Sequence, residues 1–269
     1  MHTPLRTRNL ALAAAFAGIA AFAAAGPAAA ETVEKTLQNT YPMSARGEVV
    51  VENINGHVVV ETWDRAEVRV RATKKVRAGS AEEAAEAMDR LEVRVKKGAD
   101  RLHVETSHGN TELGFFDWMR GRTNGSVSYH LTVPRGIRLV AETVNGGITL
   151  RGVDGDFSAS TVNGGVRIED ARGKVDVSTT NGSIQAEMDA VTKNADMAFS
   201  TTNGAVTVTL PEDVATTLRL RTTNGGIHVD FPVEVRGERS RRRLDAELNG
   251  GGGTLRVSTT NGSINIKRG

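Results

Sequence analysis

The 269-residue sequence has no cysteine. That excludes a disulfide framework, a thiolate metal site and a cysteine nucleophile. Aromatic residues are few, seven Phe, two Trp and two Tyr, so any core must be built from aliphatic side chains. Charge of one sign is not in excess: 34 Lys plus Arg face 32 Asp plus Glu. Long apolar runs are also missing. The longest, Leu10 to Ala25, is mostly alanine and falls short of the roughly 20 strongly apolar residues that a membrane span needs.

That stretch follows Arg6 and Arg8, with no acid before it, and leads to Ala28-Ala29-Ala30 just ahead of Glu31. A basic start, an apolar middle and a small-residue exit make a secretory signal. The sequence therefore predicts cleavage after residue 30 and an exported chain, periplasmic or extracellular, with no membrane span left after cleavage. Loss of residues 1–30 removes two arginines and no acid, leaving 32 basic against 32 acidic residues. Bulk attraction to nucleic acid has no support in such a balance.

What the chain has in abundance is glycine, 29 residues, and nine of these follow an asparagine. Random order would give roughly two such pairs, so the excess marks an internal repeat. Seven pairs, at Asn55, Asn145, Asn163, Asn181, Asn203, Asn224 and Asn261, share a wider pattern. Counted from each Asn, positions −6, −4, +3 and +5 are apolar in all 28 cases, as in Val175, Val177, Ile184 and Ala186 around Asn181. Position −2 is Thr in six of the seven. Apolar residues with period two on both sides of a turn mean strands. Asn-Gly offers two residues that tolerate positive φ, which a tight turn needs.

Asn145 to Asn224 advances by 18, 18, 22 and 21 residues, and Asn261 follows 37 further on, about two periods. A unit near 20 residues cannot bury its own apolar face and must stack on its neighbours. The pattern leaves two architectures open. One is a β-solenoid in which the Asn residues align as a ladder; the other is an antiparallel meander or β-sandwich built of Asn-Gly hairpins.

Two stretches break the rhythm. Between Asn55 and Asn145, Ala66 to Val76 alternates as a strand. Ser80-Ala81-Glu82-Glu83 is a capping box that opens a helix over Ala81 to about Arg90. Leu91 to Lys97 and Arg101 to Thr106 alternate again, and Asn124 keeps half the repeat pattern. The second break, Val235 to Gly253, holds Arg241-Arg242-Arg243 and four consecutive glycines.

The repeated T-T-N-G-x-I/V-x-V units, the segment N-I-N-G-H-V-V-V-E-T-W-D and the closing G-G-G-G-T-L-R-V-S-T-T-N-G-S-I-N-I resemble the bacterial "putative adhesin" family of β-strand repeat proteins. They are also similar to the head domain of autotransporter adhesins. The resemblance spans about residues 45–269. It implies an all-β fold, a right-handed parallel β-helix, with one helix-bearing N-terminal insertion at about residues 80–90, and an extracytoplasmic location. Residues 31–269 are then expected to form a single domain. The family brings no catalytic or binding motif to carry over.

Candidate chemistry is sparse. His103 and His108 are five apart, which places them on opposite faces of a regular strand, and no H-E-x-x-H occurs, so no metal or other cofactor is expected. Asp154, Asp156, Asp170, Asp176, Asp189 and Asp230 sit at different offsets from the repeat Asn and are not expected to pair into a glycosidase-like cleft. Two features stand out as partner-binding candidates. One is Phe115, Phe116 and Trp118, three aromatics within four residues. The other is Arg241, Arg242 and Arg243, flanked by acids. The repeated Asn and Thr read as structural ladders. The expected function is non-catalytic: a rigid adhesin-like scaffold or binding module for envelope polysaccharide or protein. The alternatives are a carbohydrate-active enzyme on a β-helix and an envelope-stress accessory or sensor protein.

Overall fold

The computed structural model describes residues 19–20, 31–108, 124–191 and 195–269. Along the chain, β1 (Ile19–Ala20) and β2 (Glu31–Pro42) precede β3 (Glu48–Glu52) and β4 (Val58–Trp63). Then come β5 (Glu67–Ala78), helix α1 (Ala81–Arg90), β6 (Leu91–Lys97), β7 (Arg101–His108) and β8 (Asn124–Pro134). Four strand pairs follow: β9 (Arg138–Asn145) with β10 (Ile148–Arg151), β11 (Phe157–Asn163) with β12 (Val166–Ala171), β13 (Val175–Asn181) with β14 (Ile184–Met188), and β15 (Met197–Asn203) with β16 (Val206–Leu210). The chain continues through β17 (Thr216–Asn224), β18 (Ile227–Val229), β19 (Glu234–Arg239) and β20 (Arg243–Leu248) to β21 (Gly253–Asn261) and β22 (Ile264–Arg268).

These strands form two 11-stranded sheets. In every repeat the strand before Asn-Gly lies in one sheet, here the front, and the strand after it lies in the other, the back. Repeats stack in parallel and in register: Phe157 pairs with Val175 and Asn163 with Asn181 in front, Val166 with Ile184 behind. The fold is a β-solenoid, and the hairpin alternative fails because the two arms of each Asn-Gly corner belong to different sheets. The apolar positions face the space between the sheets. Of the 28, only Ile227 and Val229, in the short last strand of the back sheet, are less than fully buried. Each buried Val, Leu or Ile contributes about 1.5–3 kcal/mol relative to exposure, so the stack is held by aliphatic burial despite its few aromatics.

The Asn-Gly corner differs from the expected turn. None of the seven asparagines has positive φ; among the described non-glycine residues only Asp170 and Asn249 do. The asparagines extend the front strands, and the glycine is required by crowding. A Cβ on Gly164 would lie 2.1 Å from the carbonyl oxygen of Gly146, and one on Gly182 2.0 Å from that of Gly164. The backbone of one coil runs directly over that of the next, and only glycine allows the approach.

Spatial order also departs from chain order. The front sheet runs β7-β3-β9-β11-β13-β15-β21-β17, and the back sheet β8-β4-β10-β12-β14-β16-β22-β18. The final coil, with Asn261, is inserted between the coils of Asn203 and Asn224. The 37-residue interval is therefore not two stacked periods. It is one coil plus the antiparallel β19–β20 hairpin, which covers the far end by pairing β20 with β17. At the near end β7 and β8 make a coil beyond β3 and β4. Beyond it lie β5 and β2 behind and β6 in front, all antiparallel. Helix α1 packs beside β5 with Ala84, Ala87 and Met88 buried. Its N-cap Ser80 accepts a hydrogen bond from the Glu83 amide, a donor that the first helical turn leaves open, and the Glu83 carboxylate reaches back to accept one from the Gly79 amide just before the cap.

Candidate functional site

Much of the repeat's polar chemistry is consumed by the fold. In the spatial order Asn55, Asn145, Asn163, Asn181, Asn203, Asn261, Asn224, each Asn after the first donates from Nδ2 to Oδ1 of the one before it, at 2.7–2.9 Å. Each Thr at −2 is buried and donates to the glycine carbonyl of the adjacent corner, as Thr179 does to Gly164 at 2.8 Å and Thr259 to Gly204 at 3.0 Å. The seven asparagines and the six threonines thus form a hydrogen-bonded ladder along this corner. At the first repeat Asn53 replaces Thr. Its Nδ2 donates to Gly56 and Val127 carbonyls, and its Oδ1 accepts from Thr106 Oγ1, which in turn lies 2.7 Å from the Tyr129 hydroxyl. Burial pushes the Tyr129 hydroxyl up to about 12, a shift the Thr106 hydrogen bond only partly offsets.

The outer surface of the front sheet carries residues that the fold does not demand. Position −3 points outward in every coil. In spatial order the column reads Glu105, Glu52, Glu142, Ser160, Ser178, Ser200, Ser258, Arg221. Position −1 alongside it includes Val144 and Val162, 36% and 41% exposed, and then Thr180, Thr202, Thr260 and Thr223. The face therefore grades from acidic through apolar and hydroxyl to basic. At its acidic end Glu52, Glu105, Glu142, Arg94, Val144 and Val162 line a groove of about 590 Å³. At its basic end a second groove of about 570 Å³ is lined by Arg221, Arg242, Arg243, Ser258 and Thr260, among others.

This second groove is where two of the three candidate arginines are found. Arg241 and Arg242 sit at the tip of the β19–β20 hairpin, where the Ser240 hydroxyl accepts hydrogen bonds from the Arg242 and Arg243 amides. Arg243 is held by Glu238 at 3.0 Å and Asp245 at 3.3 Å. Phe115, Phe116 and Trp118 lie outside the described residues. Sequence reading missed the outward column because it weighed only the inward positions. Counting offsets −3 and −1 by the same rule would have exposed it.

The corner opposite Asn-Gly, where back strands return to the front, holds a cleft of about 480 Å³ lined by Glu61, Arg135, Arg151, Asp154, Asp170, Arg172 and Asp189. Three aspartates expected to stay apart thus share one cleft. The chain is irregular there: pairing shifts register between Ile168 and Ala171, Asp170 has φ 54°, and Asp154 bridges to Arg172 rather than to Asp170. Arginines interleave with the acids. Arg151 bridges Glu61 and Glu169, and Arg172 meets Asp189 at 3.4 Å. Hydrogen bonds from Arg151 and then His130 hold Glu61 below the usual carboxylate range, and those from Arg167 and Arg151 do the same for Glu169. A glycosidase general acid needs the opposite shift.

The family model of Toastrack DUF4097 matches residues 48–267. The chain belongs to the Toastrack DUF4097 family. Among solved structures, this Toastrack chain is similar to a putative cell adhesion protein from Clostridium sporogenes, at 12% identity and TM-score 0.52, over 89% of this chain and 100% of that one. A putative adhesin from Bacteroides fragilis is matched at 7% identity and TM-score 0.32, over 87% of this chain and 96% of that one. The first likeness shows a shared fold, and the second is too distant to add to it. No curated protein matches the chain. Among the described residues no helix is long and apolar enough to cross a membrane.

Proposed function

We propose that this Toastrack protein is an exported, adhesin-like binding module of the cell envelope, with residues 1–30 removed on export, residues 31–269 acting as one rigid unit and no chemistry performed on its partner. The observation that carries this reading is the outward column of the front sheet. The Asn and Thr ladders fix the coils at the roughly 4.8 Å rung spacing of a sheet. Ser160, Ser178, Ser200 and Ser258, with Thr180, Thr202 and Thr260 beside them, therefore present hydroxyl donors and acceptors at a fixed repeat along the stack axis. That surface suits an elongated hydroxyl-rich polymer, an envelope polysaccharide lying along the axis, with Val144 and Val162 packing against its less polar faces. Preorganised rungs lose little entropy on binding.

The test is co-sedimentation of the purified chain with insoluble envelope polysaccharide, using Val144→Glu with Val162→Glu and, separately, Ser178→Lys with Ser200→Lys. Both pairs change outward side chains only, so melting temperatures should stay near that of the parent. Each pair should lower retention at least about tenfold, the loss expected from desolvating a charge in a contact surface. Retention by envelope proteins alone would replace the polysaccharide as the partner. Unchanged retention in both variants would remove the front face from the account.

A further inference from the structure

The acidic end of the front face contains a cluster that the binding reading does not use. His103 on β7 lies between two carboxylates: its Nε2 is 3.2 Å from Glu52 Oε2 on β3, and its Nδ1 is 4.0 Å from Glu105 Oε2, two residues along its own strand. Glu52 and Glu105 are Cα partners across the parallel β3–β7 pair, so backbone pairing fixes both. The Nε2 atom is sealed from solvent and makes no hydrogen bond. It is close to Glu52 in distance but outside hydrogen-bond geometry. A buried polar atom left without a partner is costly. One ligand atom from each of the three residues falls within 4.8 Å of the other two, close enough for small side-chain movements to bring all three onto one cation at about 2.0–2.2 Å. Glu52 and Glu105 also line the 590 Å³ groove, which gives an approach from solvent.

We propose that Glu52, His103 and Glu105 form a binding site for a divalent transition-metal cation, with Zn²⁺ as the best match in chemistry. One imidazole nitrogen and two carboxylates suit Zn²⁺, whereas Ca²⁺ and Mg²⁺ prefer all-oxygen shells. Binding through Nε2 requires the neutral tautomer with its proton on Nδ1, which leaves the Nε2 lone pair for the metal. Lys96 opposes the site: its Nζ lies 3.0 Å from Glu105 Oε1 and competes for that carboxylate. Spacing between histidines gave no hint of this site, because its three ligands come from two strands and only one is a histidine. The proposal does not depend on which polymer the front face holds.

The experiment is calorimetric titration of the full chain with ZnCl₂, with MgCl₂ and CaCl₂ as comparison ions. One equivalent of Zn²⁺ should bind saturably and raise the melting temperature, with Mg²⁺ and Ca²⁺ at least tenfold weaker. His103→Ala and Glu52→Gln should each weaken Zn²⁺ binding roughly 10–100-fold, the usual range for losing a group that holds or orients a metal. Lys96→Met should tighten it, a direction that mere destabilisation cannot produce. His130→Ala, at a separate His–carboxylate pair with Glu61, should leave it unchanged. Absence of saturable Zn²⁺ binding below about 1 mM, or binding that survives His103→Ala in a folded variant, overturns the site.

Discussion

Each coil turns two corners, and the two are built on opposite principles. The Asn-Gly pair repeats through seven coils, with the Thr at −2 and its bond to a neighbouring glycine carbonyl in six of them. The opposite corner changes in length and sequence from coil to coil, gathers charge, and in one place carries a left-handed Asp170. The first is uniform because stacked backbone leaves no room for variation. The second varies in length between coils and adds exposed ion pairs, although its backbones also meet in places, as where a Cβ on Gly173 would lie 2.3 Å from the Gly155 carbonyl oxygen. Uniformity at this corner and on the inward face therefore marks structural demand, and candidate function lies outside them, on the outward column and at the ends.

The sharpest way to break this comparison is a single methyl group. Gly164→Ala puts a Cβ 2.1 Å from a backbone oxygen and should cost about 4 kcal/mol or more, or prevent folding, in urea or thermal melts. Gly226→Ala, where a Cβ would meet nothing within 4 Å, should change stability by less than about 0.5 kcal/mol. Equal effects at the two glycines would mean that crowding does not govern the corner.

Next comes the buried end of the Thr ladder. Tyr129→Phe removes the hydroxyl that meets Thr106 and should cost about 1–2 kcal/mol. Because the folded Tyr129 pKa is raised from 10.0 to about 12, its contribution is complete below pH 10 and fades as pH rises toward 12. The parent's melting temperature should fall over that window, and Tyr129→Phe should flatten the fall. Within the regular ladder, Thr179→Val leaves the Gly164 carbonyl without its side-chain partner and should cost about 1 kcal/mol.

The smallest effect is expected at the variable corner. Arg151→Ala breaks the bridge between Glu61 and Glu169, yet all three side chains are substantially exposed, so about 0–1 kcal/mol is expected. Both glutamates titrate below their ordinary value of 4.5. Their contribution is therefore present above that pH and lost as pH falls below it, and the variant should lose less stability on acidification than the parent.

The repeat, its inward face, helix α1 and its Ser80 cap were legible in the sequence because each rests on spacing within a short window. The reason for glycine was not, because the clash is with a residue 18 or more positions away. Coil order was hidden for a related reason. The strands β17 and β21 carry the same pattern of Leu at −6, Thr at −2 and Asn at 0, so the neighbouring β15 could accept either. The Glu52–His103–Glu105 cluster joins residues about 50 apart through strand pairing, and the Asp154, Asp170 and Asp189 cleft forms at a corner whose path the repeat offsets do not set. Local periodicity reports what must repeat; it is silent on which repeats become neighbours and on what they bring together outside the core.

The inserted final coil sets the order of the outward column, and the functional reading stands on that order. A chain without cysteine allows a direct test. Ser200 and Ser258 are Cα partners in adjacent strands, at a spacing of about 4.8 Å that a disulfide can bridge. Ser200 and Arg221 are separated by the intervening β21, about twice that distance. Under mild oxidation, Ser200→Cys with Ser258→Cys should form an intramolecular disulfide, whereas Ser200→Cys with Arg221→Cys should stay reduced. Cross-linking of the second pair and not the first would place the coils in chain order and contradict the account.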